Sequence, residues 1–67
     1  MPALAHVVPL QPVEGVYTYR VPDEMAAEAV PGARVVVPFG RRTITGVVAE
    51  RVDGSPDGLK ALTDVLD

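Results

Sequence analysis

Few side chains in this chain of 67 residues could carry covalent chemistry, and their spacing argues against it. His6 is the one imidazole. It lies inside the apolar stretch Ala3 to Leu10, with no Asp, Glu or Cys spaced to complete a metal site or a catalytic triad. It therefore reads as a packed or half-exposed strand histidine. Cysteine is absent, which removes thiolate catalysis, disulfide staples and zinc-ribbon patterns and is compatible with a reducing compartment. Glu14, Asp23, Glu24, Glu28, Glu50, Asp53, Asp57, Asp64 and Asp67 fall mostly in turns or at element ends and read as solvated surface. The glycines stand singly, so no phosphate-cradling or dinucleotide fingerprint forms. Without a nucleophile, base and orienter set, the chain is expected to be no enzyme and to carry no cofactor or metal.

Binding chemistry has better material. Arg34, Arg41 and Arg42 lie on or beside one apolar segment, and Gly40 followed by two arginines would expose backbone N–H groups and guanidinium forks suited to phosphate. The same arginines would equally serve to keep a strand edge from aggregating. Tyr17 offers a flat face on which a nucleobase could stack, worth roughly 1–3 kcal/mol in single-strand binders, although a lone tyrosine also serves as core or rim. The Thr18 hydroxyl could bond a sugar hydroxyl or base edge. Lys60, the single lysine, could reach a phosphate or carbonyl from its flexible stem. The net charge of −3 and pI near 4.9 argue against a polybasic nucleic-acid binder. Any such contact must be local.

The elements that would position these groups follow from pattern. A chain this short is one domain, residues 1–67, and buries only roughly 60% of the surface its unfolded form exposes. Ala3 to Leu10 reads as a strand. Val16 to Val21 is a second, with Tyr17, Tyr19 and Val21 on one face. Glu24 to Ala29 has helix formers for one or two turns at most. Pro31-Gly32 turns into Ala33 to Phe39, whose Val35, Val37 and Phe39 share a buried face. Gly40-Arg41-Arg42 connects this strand to Thr43–Val52 as a hairpin. Gly46 in mid-strand suggests a bulge or the sharp bend that closes a small barrel. After the turn cluster Asp53 to Gly58, Leu59 to Asp67 fits helix and strand periods equally. The fold class expected is all-β, a small antiparallel barrel-like domain of about five strands. No apolar run approaches the roughly 18 residues of a membrane span, and the reading is cytoplasmic.

In their order, Ala5-His6-Val7-Val8-Pro9-Leu10, Tyr17-Thr18-Tyr19-Arg20-Val21-Pro22, Pro31 to Gly40, Gly46-Val47-Val48 and Leu59-Lys60 through Asp67 resemble the N-terminal 3′-end-binding domain of the PriA family of bacterial replication-restart helicases. The resemblance spans nearly the whole chain. It implies a β-rich domain that takes the 3′-hydroxyl end of a leading strand at an arrested replication fork, largely without base preference. By matching position it places Tyr17 on the terminal base, Thr18 where many relatives have Asp, Gly40 where the backbone approaches, and Lys60 in the pocket lining; Arg41 and Arg42, read from the sequence beside Gly40, would assist electrostatically. A threonine cannot offer a carboxylate's two acceptor oxygens, so affinity or base tolerance would differ. The resemblance also favours a strand over Leu59 to Asp67. It implies downstream helicase, zinc-binding and winged-helix parts, to which ATP and zinc would belong. It further implies the single-stranded DNA-binding protein and primosome proteins as partners of the longer protein. The competing reading, drawn from acidic charge and exposed strand edges, is a small protein-interaction adaptor.

Overall fold

The β-branched runs form the strands of a single antiparallel sheet in the computed structural model, which describes residues 2–67. Strand β1 is Ala3–Pro9, β2 Tyr17–Arg20, β3 Arg34–Phe39, β4 Arg42–Asp53 and β5 Asp64–Val65, ordered β2-β1-β4-β3-β5. The long β4 pairs with β1 over its C-terminal half and with β3 over its N-terminal half, which makes it the spine of the sheet. The fold is all-β, as the patterns predict, and the helical segment is reduced to a 3-10 turn over Asp23–Met25.

Closure into a barrel is not achieved as a continuous ladder. The two edges are joined by the C-terminal segment, which changes partner as it runs. At Ala61 it makes a parallel bridge to Arg20, flanked by Arg20 N–H donating to the Lys60 carbonyl (2.9 Å) and Leu62 N–H to the Arg20 carbonyl (3.0 Å). It then crosses to β3, where Thr63 N–H donates to Val36 and Leu66 N–H to Arg34, both at 2.8 Å. The end of β2 at Arg20 and the start of β3 thereby gain partners for their backbone donors and acceptors, and β5 is left as the outer strand. Regular strand survives only at Asp64–Val65, while Leu62 is 3% exposed and enters the core.

That core is built from alternate residues of each strand: Ala5 and Val7, Tyr19, Val35 and Val37, Ile44 and Val48. The Tyr19 hydroxyl donates to the Pro38 carbonyl at 2.8 Å, so its buried ring keeps a partner for its polar end. Burial, with Tyr17 adding, pushes the Tyr19 phenol above its ordinary value.

Gly46 has a different role from the bulge its position suggests. The irregularity lies between His6 and Val7, opposite Val48 and Glu50, leaving Ala49 as the extra residue on β4. Gly46 pairs with Pro9 and Val35, and a Cβ there would lie 2.5 Å from Val7 Cγ1 and 3.0 Å from the Val8 carbonyl oxygen. Close packing of the curled β1–β4 pair, not chain direction, requires the glycine.

Arg51 ties the turn after β2 to the sheet. Its Nη1 donates to the carbonyls of Ala26 and Ala29, each at 2.9 Å. A leucine at position 51 should leave two carbonyls without that donor and cost about 2 kcal/mol. Thermal unfolding of Arg51→Leu is expected to shift down by roughly 10 °C for a domain of this size; an unchanged midpoint would show that the turn stands without the arginine. At the other side of the sheet Arg34 grips Asp67 through two N–H···O contacts, one of them 2.8 Å from Nε. The guanidinium holds the Asp67 carboxyl below its usual range, and Asp67 in turn raises Arg34. This pair is fully formed at neutral pH and is lost only as pH falls through the lowered carboxylate range. Being exposed, it fixes geometry more than stability.

Candidate nucleic-acid interface

Where the sheet curls without closing, β2 comes to face the β3–β4 turn across a cleft of about 320 Å³. One wall is Tyr17, Thr18 and Tyr19 of β2; the opposite wall is Pro38, Phe39 and Gly40. Gly58, Leu59 and Lys60 supply the floor from the loop that Arg20 N–H anchors through the Lys60 carbonyl. The Tyr19–Pro38 hydrogen bond spans the two walls and sets their separation.

Aromatic geometry fixes one side. Tyr17 and Phe39 meet edge to face, with ring centroids 5.1 Å apart and planes at 89°. The Tyr17 hydroxyl donates to the Glu14 carbonyl at 3.1 Å, so the ring is held at both ends. A ring fixed in this way can accept a base without first losing rotamer freedom. Phe39, which strand periodicity assigns to the core beside Val35 and Val37, is only half-buried because it completes this cleft.

The turn supplies backbone. Phe39 pairs with Arg42, leaving Gly40 and Arg41 as the connecting residues. Gly40 has φ +64° and Arg41 a negative φ, the combination of a type II′ hairpin turn with glycine first. No heavy atom lies within 4 Å of where a Gly40 Cβ would stand, so the main chain there is open to close approach.

The electrostatics are local, as a chain of net charge −3 requires. No carboxylate lines the cleft, and Lys60 is its charged residue. Arg41 and Arg42 follow Gly40 on the turn, exposed and outside the lining, and neither they nor Lys60 has a carboxylate partner among the described residues. Arg34, grouped with them by sequence, is instead engaged by Asp67. A second depression of about 490 Å³ carries Asp23 and Glu24 beside Arg20, a mixture ill suited to an anionic ligand. No cluster of His, Cys, Asp and Glu able to hold a metal ion occurs among the described residues, and no helix there is long and apolar enough to cross a membrane.

The fold thus brings Tyr17, Thr18, Gly40 and Lys60 into one cleft and leaves Arg41 and Arg42 adjacent to it. Tyr19, Pro38, Phe39, Gly58 and Leu59 join that cleft without having been singled out from the sequence. The Gly58 turn beside Lys60 is the one signal that could have pointed to the floor. The walls depend on sheet curl, which strand periodicity does not report.

The family model of the PriA 3′DNA-binding domain (3′BD) matches residues 6–67. The replication restart protein PriA of Bacillus subtilis (strain 168) is 39% identical over 54 residues, a match covering 76% of this chain and 7% of that relative. The chain therefore spans a small fraction of the length of the curated relative it matches.

Proposed function

The chain belongs to the PriA 3′DNA-binding domain family, a DNA-binding family of replication restart, and from that premise we propose that it captures the 3′-hydroxyl end of a nascent strand at a stalled or abandoned fork. The observation that carries this reading is the convergence of Tyr17, Thr18, Gly40 and Lys60 on a single cleft free of carboxylates. At about 320 Å³ that cleft is at the lower end of ligand pockets, roughly 300–1,000 Å³, which suits one nucleotide rather than a run of them. Each wall has a part. Tyr17 stacks the terminal base, an interaction every base can make. Thr18 meets the sugar hydroxyl or base edge, Gly40 lets the main chain approach, and Lys60 balances the phosphate on the 5′ side of the last nucleotide. Arg41 and Arg42 steer the strand from outside the lining.

In this role the chain performs no catalysis and needs no cofactor. It positions a longer restart helicase, whose ATP and zinc chemistry and whose contacts with single-stranded DNA-binding protein and primosome proteins belong to other domains. The setting is the bacterial cytoplasm, at the nucleoid.

Two measurements test the reading. Amide chemical shifts recorded with a short oligonucleotide should move at Tyr17, Gly40 and Lys60; shifts confined to the opposite sheet face would favour a protein-interaction adaptor. The salt dependence should be shallow. With Lys60, Arg41 and Arg42 as the cations at hand, log K against log salt should fall with a slope no steeper than about −2, taking about 0.7 per neutralised phosphate on a single strand. A markedly steeper slope would place binding on a surface broader than the cleft.

A further inference from the structure

Strands β2 and β3 are not neighbours in the order β2-β1-β4-β3-β5, and no ladder joins them among the described residues. The segment after Gly58 fills part of the gap between them. On the β2 side it takes both main-chain groups of Arg20; on the β3 side it takes the carbonyls of Val36 and Arg34 through Thr63 N–H and Leu66 N–H. Main-chain directions alternate along a strand, so Pro38, two residues beyond Val36, turns its carbonyl into the same gap. Proline has no N–H with which to extend a ladder there. What crosses the gap at this level is a side chain. The Tyr19 hydroxyl donates to the Pro38 carbonyl at 2.8 Å, while the tyrosine as a whole, 6% exposed, belongs to the core. Both residues line the cleft.

We infer that Tyr19 is a positioning residue that sets end specificity in the proposed 3′-end site, a strut whose hydrogen bond to Pro38 holds the two walls at the width of one nucleotide. The floor is fixed by main chain, through Arg20 N–H and the Lys60 carbonyl, whereas the walls are held by this side-chain bond. A terminal nucleotide that fits the cleft as it stands leaves the bond intact. One that carries a further phosphate fits only when β2 and the β3–β4 turn move apart. That movement breaks the bond and strands a shielded donor and acceptor. The bulkier end therefore meets a cost that the hydroxyl end does not, and the difference is selectivity without any contact between the Tyr19 hydroxyl and ligand. Burial holds the phenol above its ordinary value, so the strut keeps its proton through pH 8.

This role rests on the 3′-end reading, and the experiment separates the two. Affinities for one oligonucleotide ending in 3′-hydroxyl or in 3′-phosphate are measured at pH 8 for the wild-type chain, Tyr19→Phe and Arg51→Leu, together with the Pro38 carbonyl ¹³C shift. Tyr19→Phe keeps the buried ring and removes only the strut's bond. Its hydroxyl-over-phosphate preference should fall about fivefold, the scale of one neutral hydrogen bond, through tighter binding of the phosphate end. The Pro38 carbonyl shift should change with it. Arg51→Leu, which loosens the turn after β2 and not the cleft, should keep the wild-type preference. A Tyr19→Phe preference equal to that of wild type overturns the inference. So does an unchanged Pro38 carbonyl shift, a fall that comes only from weaker binding of the hydroxyl end, or an equal fall in Arg51→Leu. Absence of any end preference in the wild-type chain overturns the 3′-end reading, and this inference with it.

Discussion

Gly46→Ala is expected to be the most damaging single-methyl change in the chain, lowering stability by about 3 kcal/mol, the upper range for overpacking a well-filled interior. The added Cβ would sit 2.5 Å from Val7 Cγ1, inside van der Waals contact, and 3.0 Å from the Val8 carbonyl oxygen. Val7 is fully buried and cannot swing away, and a carbonyl in a paired strand cannot retreat without opening the β1–β4 ladder. For a domain of this size the thermal midpoint should fall by roughly 15 °C. Gly40→Ala makes a useful contrast, because there the Cβ meets nothing within 4 Å and only the positive φ is at stake. Its cost should be about 1–2 kcal/mol. Circular dichroism melts of both variants check the ordering, and a Gly46→Ala midpoint within a few degrees of wild type would mean that β1 and β4 approach less closely than described.

The largest effect on binding is expected at Tyr17. Removing the ring in Tyr17→Ala takes away the stacking surface, which should weaken binding of a 3′-hydroxyl oligonucleotide by about 1–3 kcal/mol, or roughly 5- to 150-fold. Tyr17→Phe should bind nearly as wild type, because the phenol is used on the Glu14 carbonyl and not on ligand. Phe39→Ala should give a smaller loss by freeing Tyr17 from its edge-to-face contact. Fluorescence anisotropy on folded variants measures this series. A Tyr17→Ala chain that binds as tightly as wild type would remove stacking from the account.

Much of the fold is legible in the residues themselves. Val35, Val37, Ile44 and Val48 alternate as a half-buried sheet requires, and a glycine between two β-branched runs marks the hairpin that Gly40 makes. Leu59 to Asp67 defeats periodicity for a physical reason: Ala61 bridges Arg20, Leu62 turns into the core, and Val65 pairs with β3. A segment that changes partner every few residues imposes neither a helical nor a strand period on its side chains. Gly46 misleads because a glycine required for space and one required for a bulge look alike in one dimension. The cleft is the least legible feature. Its membership of Tyr17, Thr18, Gly40 and Lys60 came from resemblance to a family, and the Tyr19, Pro38 and Phe39 walls exist because an unclosed sheet curls two distant strands together. His6 illustrates the same limit, since its apolar surroundings in sequence give no hint of Thr18 and Glu50 on the neighbouring strands.

The central claim is that the cleft reads a strand terminus and not a strand. At pH 8 and low salt, titration of the chain with one oligonucleotide sequence, ending either in a free 3′-hydroxyl or in a 3′-phosphate, tests it most directly. The account predicts a clear preference for the free hydroxyl, because a cleft of about 320 Å³ suits a single nucleotide and a further terminal phosphate would exceed it. Equal affinities for the two ends would contradict it.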